Sequence, residues 1–594
     1  MTIDSDTPQP RAALSLEALA YLLLFALALA LRLANLAAHP LNDAEASEAL
    51  TAWRFSQSLP GATLPDSPVY LTLTALGFLT FGDHDFVARL APALFGAALV
   101  LLPALAHSAL GGWRALLTAA LLAVSSIGIM ASRSADGATL AVFFVWLAAT
   151  ALWRDLQGRP GRWGIVAAAA FGAALASGPQ ALLGLIALAV ALAAVPEGWP
   201  TVLARILDRG RSFGLAALAA FLIAGTFFLL NRDGLGAAAA SWVTFVGRFT
   251  QGLEGRSLTA LVALLGAYDP LIIVAGAVLA ALTFARGGVD RFLTVAVLVV
   301  VVLSAIAVGR SQFDLLWVIA LLAPHAALAL QRLAIEYDWR RRWALPVSLA
   351  LILLAVVAFV GLNLSTFVAF ARLNVDFLTT ATAIDWRVSP WSSLGLAGAG
   401  IVMLPLITIL IGLGWSYRAA VVGLLSALAL MLGATMLTAG WGQAHLRPGS
   451  PVELWWPRPV GADLARLRET VFWAGEQTVG EGTEIEAIVQ ASPDGAVAWA
   501  LRGFSKTRFV AALGPEIATA AVIAPMAAID GAAPALGAAY VGASFELDPV
   551  WFPDNLFWFE QLDWLLYRRA PVQFPTLTVL WLRSDIQAPE PVRP

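Results

Sequence analysis

Apolar runs close to the length of a bilayer crossing recur over the first three quarters of the chain. They fall near 14–36, 86–108, 114–131, 138–153, 163–177, 180–196, 213–230, 261–284, 292–309, 314–331, 344–363, 392–414 and 419–440. A spanning helix needs about 20 such residues, so the pattern predicts about thirteen transmembrane helices. Two places interrupt it: Ser177-Gly178-Pro179-Gln180 parts a short pair, and Tyr268-Asp269-Pro270 breaks the eighth run. The polar segments alternate between short loops and the long ones at 37–85, 231–260 and 364–391. After Gly440 the pattern changes. Ala462–Ala474 repeats apolar positions at helical spacing, and β-like runs follow at Ile485–Val489, Arg508–Ala512, Ala520–Ile523 and Leu577–Leu582. Helices mixed with strands predict a small α/β domain over 441–594, behind a transmembrane domain over 1–440.

Composition supports a polytopic α-helical membrane protein. The 594 residues are 60% hydrophobic and only 13% charged, too few charges to cover a water-soluble surface. The basic residues then set the orientation. Of the 25 before Gly440, 15 fall in the N-terminal segment and the short loops, Arg11, Arg114, Arg154, Arg159 and Arg340–Arg342 among them. That side is expected to be cytoplasmic. An odd number of crossings puts the tail outside, as an extracytoplasmic domain of a multi-pass cell-membrane protein. Asp4 and Asp6 ahead of the first run, with further runs behind it, argue against a cleavable signal peptide. A net charge of −3 gives no sign of a nucleic-acid partner. With no cysteine there are no disulfides and no thiolate metal sites.

Candidate chemistry concentrates in the first long loop, which opens His39-Pro40-Leu41-Asn42-Asp43-Ala44-Glu45-Ala46-Ser47-Glu48. Pro40 ends the membrane helix, and Asn42 or Asp43 can cap a new one running to about Gln57. Glu45 and Glu48 lie three apart on one face of that helix. Carboxylates at the membrane edge lose bulk water, which raises their pKa and suits a general base; a helix cap with a solvated acidic face is the plainer reading. Downstream, Pro68-Val69-Tyr70 precedes Phe81-Gly82-Asp83-His84-Asp85, and Arg89 falls at the outer end of the second run. Arg89 can hold a phosphate or pair with Asp85 on its own helix. Ser132-Arg133-Ser134-Ala135-Asp136 forms another charged turn on that side. The five histidines lack ligand spacing, and neither a P-loop nor a Rossmann fingerprint is present, so no cofactor is expected. At Asp83-His84-Asp85 a solvated loop is a better reading than a divalent-ion site.

The order of these elements resembles the GT-C glycosyltransferases. A span, a loop opening with acidic residues, Pro68-Val69-Tyr70, Phe81-Gly82 followed by Arg89-Leu90-Ala91-Pro92-Ala93, then Ser132-Arg133-Ser134-Ala135-Asp136 is similar to family 39 in the broad sense. That group takes in protein O-mannosyltransferases, aminoarabinose transferases and an archaeal flippase-associated branch. Trp499–Phe504 and Leu565–Arg569 of the tail resemble that branch too. The resemblance implies a polyprenyl-phosphate sugar donor, a lipid, glycan or protein acceptor, and transfer on the outer face. It implies Glu45 as catalytic base with Asp43 as cap or acceptor-side contact, and Arg89, Arg133, Asp136 and Tyr70 as substrate-binding residues. Two positions depart from the family pattern: Ala44 stands where the pair begins with aspartate, and Ser67 stands where many members carry lysine. The second departure moves phosphate binding to Arg89, Arg133 or an arginine of 231–260. The alternatives are a catalytically inactive scaffold and a flippase or transport component. Against the latter, no internal repeat is evident.

Overall fold

In a computed structural model of the protein, the described residues are 15–59, 66–157, 162–196, 198–227, 231, 233–251, 255–373, 387, 389–513, 517–527, 539–551 and 553–586. Arg11, Arg159 and Pro65 lie outside them. Seven described helices are long and apolar enough to cross a membrane, or up to ten if each bent pair is one span. The expected thirteen is a finer count. It takes in Arg162–Leu175 and Gly210–Thr226, with 14 and 17 residues, both under a full crossing of about 20. It also divides the 57-residue apolar stretch Pro390–Leu446 into Ser389–Ile411 and Tyr417–Trp441.

Broken helices are the membrane body's main departure from regularity, and at one break several freed backbone groups find side-chain partners. Gly112–Val124 and Ser126–Ser132 meet at 59°, which releases carbonyls on one side of the break and amides on the other. The Arg32 guanidinium donates to the carbonyls of Ala123 and Leu122, both at 3.1 Å. The Asp269 carboxylate accepts from Ser126 N at 3.0 Å, Ile127 N at 2.9 Å and Ser125 Oγ at 2.8 Å. Asp269 is itself the break between Leu258–Tyr268 and Pro270–Thr283, which bend by 101°. One carboxylate therefore locks two broken helices together, and this is how irregular backbone survives away from water.

The tail carries a five-stranded sheet: β1 Ala487–Val489, β2 Thr507–Phe509, β3 Ala521–Ala527, β4 Tyr540–Phe545 and β5 Thr576–Arg583, in the order β2-β1-β3-β5-β4. β1 runs parallel to β2 and β3, while β5 runs antiparallel to β3 and β4. The helix expected at Ala462–Ala474 is Asp463–Val479. Leu464, Leu467 and Val471 from it, with Trp499, Ile523 and Leu580, share one buried cluster with Leu50, Tyr70 and Phe78 of the first loop. Sheet and first loop thus have a common core.

Candidate active site

The first-loop helix runs Asp43–Ser56, and Asn42, rather than Asp43, caps it. Asn42 Oδ1 accepts from the amides of Ala44 and Glu45, and Glu45 Oε2 accepts in return from Asn42 N at 3.2 Å and Asn42 Nδ2 at 3.0 Å. This reciprocal arrangement is a capping box. Glu45 does more. Arg89 grips it with both sides of its fork, Nε to Oε1 and Nη2 to Oε2, each at 2.8 Å, and Ala135 N reaches Oε1 at 2.9 Å. Both side chains are shut off from water, at 0% exposure for Arg89 and 3% for Glu45. A carboxylate has about four lone-pair sites, and five donors occupy them here. Both oxygens of Glu45 are thus committed to hydrogen bonds.

The two arginines expected to rim a phosphate do lie close to the first loop, but their donors go to backbone. Arg89 Nη1 reaches Leu36 O at 3.1 Å and His39 O at 2.9 Å, and Nη2 reaches Pro40 O at 3.2 Å. With the bonds to Glu45, every N–H of Arg89 is used, and Asp85 is not its partner. Arg133 donates to the carbonyls of Arg32, Ala34 and Asn35 at 3.0, 2.6 and 2.9 Å, where the Leu16–Leu33 helix ends. Both arginines hold the turn that leads from the membrane into the loop. Tyr70 is likewise a strut: wholly buried, it donates to Ala88 O at 2.8 Å, fixing Pro68–Phe81 against Asp85–Leu99.

Asp43 faces the tail. Its Oδ1 accepts from Ala496 N at 2.8 Å, at the start of the short helix Ala496–Ala500. Arg54 meets Asp494 at 2.6 Å and Pro493 O at 2.8 Å. Asp85 accepts from Trp499 Nε1 at 2.7 Å, and Asp83 accepts from Arg502 Nε at 3.0 Å. Arg502 also stacks over the Trp499 ring, 3.8 Å from its centroid. The Asp83-His84-Asp85 turn therefore docks the sheet domain, and among the described residues no group of three acidic or imidazole side chains is arranged to hold a metal. Three tryptophans of the tail serve packing: Trp455 and Trp564 are buried, and Trp558 stacks on Phe367.

The uncommitted carboxylates sit one turn further on. Glu48 Oε1 accepts from Asp66 N at 3.2 Å, while Oε2 is buried and has no partner among the described residues. Burial first, then the neighbouring Asp66 and Asp136 carboxylates, push Glu48 up to about 8. Asp136 is pushed up to about 6, again by burial first, with Asp66 and Glu45 adding to it. Burial raises Asp66 as well. Asp136 Oδ1 accepts from Ala138 N at 2.6 Å, which anchors it at the head of Ala138–Leu156. Negative charge on Asp66 and Asp136 thus disfavours the ionised form of Glu48. Backbone shape holds them together: a Cβ on Gly137 would collide with the Ser67 side chain, and one on Gly178, at φ +98°, would meet Asp66 O at 2.8 Å. Ser67 is 2% exposed and its Oγ accepts from Tyr70 N at 3.3 Å, so a lysine has no room there.

A second feature lies beyond the Asp233–Thr250 helix. That helix touches the backbone of the first loop where Ser241 Oγ donates to the Asp66 carbonyl at 3.3 Å. One turn-pair later Arg248 pairs with the buried Asp314. Beyond it a cleft opens, lined by Arg256, Ser257, Arg310, Ser311, Gln312 and Arg458 among others. Gly255 allows the two loops to cross, since a Cβ there would strike the Val308 carbonyl.

Similar proteins include two structures of ArnT from Cupriavidus metallidurans and one of AglB from Archaeoglobus fulgidus. The ArnT structure bound to undecaprenyl phosphate is 16% identical, covering 82% of this chain and 84% of that one, at a TM-score of 0.48. Its apo state is 17% identical over 82% and 85%, at 0.46. The archaeal oligosaccharyltransferase AglB, in complex with an inhibitory peptide and a dolichol-phosphate, is 12% identical over 83% of this chain and 64% of that one, at 0.43. No curated protein matches. Residues 65–224, which carry Asp66, Tyr70, Arg89, Arg133 and Asp136, match the family described as dolichyl-phosphate-mannose-protein mannosyltransferase, the family group that the order of the sequence motifs resembles.

Proposed function

We propose that the chain is a membrane glycosyltransferase that moves a sugar from a polyprenyl-phosphate-linked donor to an acceptor on the outer face of the cell membrane. Support comes from the family match over residues 65–224 and, above all, from one observation: Glu48 presents a buried, unpartnered Oε2 beside Asp66 and Asp136. In this reading 1–440 forms the transmembrane domain, with its N-terminus cytoplasmic, and 441–594 the outer domain that closes over the first loop.

Glu48, rather than Glu45, serves as the general base. A base whose pKa lies near the working pH combines a useful ionised fraction with adequate driving force for proton transfer. Glu48 Oε2 takes the proton of an acceptor hydroxyl, whether on lipid, glycan or protein. The hydroxyl oxygen attacks the anomeric carbon, and the bond to the polyprenyl phosphate breaks with its electron pair going to the phosphate oxygen. Attack opposite the leaving group inverts the anomeric centre. Asp136 and Asp66 hold protons for the cluster and orient the acceptor, while Glu45 and Arg89 keep the loop that carries Asp136 in place. Radiolabelled polyprenyl-phosphate sugar, incubated with membranes containing the chain, tests this directly. Wild type is expected to transfer label, and Glu48→Gln to lose roughly 10²–10⁴-fold of the rate. Full activity in Glu48→Gln, or no transfer by wild type from any such donor, overturns the proposal.

A further inference from the structure

We infer that the tail helix Trp558–Tyr567 lies in the headgroup layer of the bilayer and fastens the sheet domain to the phospholipid surface. Its two faces differ. Phe559, Asp563 and Trp564 are buried, whereas Phe557, Trp558, Leu565, Leu566 and Tyr567 are exposed, at 38% to 59%. So many large apolar side chains on one short helix mark a contact surface. The level of that surface follows from the helix on which it sits, Ala344–Leu373. Phe559 shares a buried cluster with Phe367, Val368 and Ala371. Trp558 stacks on Phe367 with ring centroids 5.1 Å apart, Asp563 pairs with Arg372 at 3.2 Å, and Tyr567 meets Ser365. Ala344–Leu373 has 30 residues, about ten more than a crossing needs. Arg340–Arg342 and the exposed Trp343 mark its entry into the membrane. A crossing of about 20 residues from there ends near Asn363-Leu364-Ser365-Thr366, where polar residues return. Contacts at 365–372 therefore set Trp558–Tyr567 just beyond the hydrocarbon edge.

That level selects lipid as the occupant. Tryptophan and tyrosine gather where the hydrocarbon meets the headgroups, and an interfacial helix keeps apolar side chains in the acyl boundary with cations among the phosphates. Trp558 and Tyr567 supply the first, and Arg569, 5.2 Å from the centroid of the Tyr567 ring, supplies the second. The seat also reaches the membrane body's interior. Arg568 closes the helix in the left-handed conformation, at φ +54°. Its Nη2 donates to Ala267 O at 3.2 Å, and its guanidinium lies 4.2 Å from the Trp564 ring centroid and 5.0 Å from that of Tyr268. Ala267 and Tyr268 end the helix that Asp269 breaks, and Asp269 holds Ser126 and Ile127. The tail is thus fastened twice, to the first loop through Asp43, Asp83 and Asp85 and to the bilayer through this helix.

The test measures depth. The chain has no cysteine, so Leu565→Cys, Leu566→Cys and, as a reference in water, Lys506→Cys each carry a single fluorescent label. All three positions are exposed, so the fold tolerates the change. The full chain is placed in nanodiscs of phosphatidylcholine and phosphatidylglycerol, and quenching is read from iodide in the water and from lipid nitroxides near the top or the end of the acyl chain. Labels at 565 and 566 are expected to be quenched several-fold more by the shallow nitroxide than by iodide, and the label at 506 the reverse. Iodide quenching at 565 and 566 equal to that at 506 puts the face in water and overturns the proposal. Labels reached by neither quencher show that protein, a second copy or a partner, covers the face, and overturn the lipid assignment. Stronger quenching by the deep nitroxide than by the shallow one overturns the interfacial depth. These readouts need no transfer activity, so their failure is distinct from failure of the glycosyltransferase reading.

Discussion

Neutralising Glu45 is the sharpest probe of how this site is built. The Glu45→Gln change keeps size but removes the charge that Arg89 faces, and it turns one acceptor oxygen into an NH2 aimed at other donors. Arg89 is fully buried and its remaining N–H groups already serve three carbonyls, so it cannot turn to water. Breaking a buried pair from one side costs about 3–5 kcal/mol, because it leaves an uncompensated buried charge. At about 1.4 kcal/mol per factor of ten, that corresponds to roughly two to four orders of magnitude in the folded population or in the unfolding rate. The assay is a double-mutant cycle of Glu45→Gln, Arg89→Gln and the pair, read as half-life of the folded state at fixed temperature in detergent. Each single change should accelerate unfolding by that margin, and the pair by much less than the product, because the two residues act as a unit. A Glu45→Gln chain that is as stable as wild type yet inactive in transfer would falsify this account and return the catalytic carboxylate to Glu45.

Other expected outcomes follow from the same geometry. Glu48 is raised to about 8, so between about 4.5 and 8 the folded state holds a proton that the unfolded state has released, and stability falls as pH rises through that window. Glu48→Gln should flatten that fall in pH-dependent unfolding, and wild-type transfer should climb over the same range; parallel stability profiles sink the assignment. Gly137→Ala should lower activity and stability through the clash with Ser67, and Ser67→Gly should restore both, whereas no rescue shows that the crowding is not what matters. Asp43→Ala should cost about 1 kcal/mol, the worth of a helix cap, and expose the tail to limited proteolysis, while Asp43→Asn keeps the acceptor and the protection.

Periodicity carried the fold far, because apolar runs and strand-like alternation are local properties. The tail helix and four of the five strands stand near their expected places. β4, Tyr540–Phe545, escaped because Gly542 and Ser544 blunt its pattern and four of its six positions are exposed. The site was harder, since type and spacing say which groups can react but not which are already engaged. Asn42-x-x-Glu45 is a capping-box spacing that was open to view, and it announces that Glu45 has a structural task. Nothing local reveals that Arg89 would cross to Glu45 rather than turn to Asp85, because that choice is made by the loop's return. The pairing of Asp83 and Asp85 with Arg502 and Trp499, more than 400 positions away, is equally invisible along the chain.

The two departures from the family pattern acquire a physical sense from this arrangement. Ala44 is exposed at the head of the loop helix, where an aspartate would stand about 100° round the helix from Glu45. Its neighbour Asp43 is used to seat the tail. Ser67 is small because Gly137 packs directly against it, and the same close approach places Asp136 beside the segment that carries Asp66. A lysine inserted there would part the carboxylates and neutralise one of them. Among the described residues no arginine forms an ion pair with Glu48, Asp66 or Asp136, and Arg256 stands apart from them, across the Ser134–Trp455 bridge. Such a separation suits a reaction in which a proton is removed at one end and negative charge collects on a phosphate at the other, because a base must stay unpaired while a leaving phosphate must not. An inactive scaffold has no reason to leave Glu48 Oε2 buried and unpartnered, since one hydrogen-bond donor would relieve a penalty of about 1–3 kcal/mol or more.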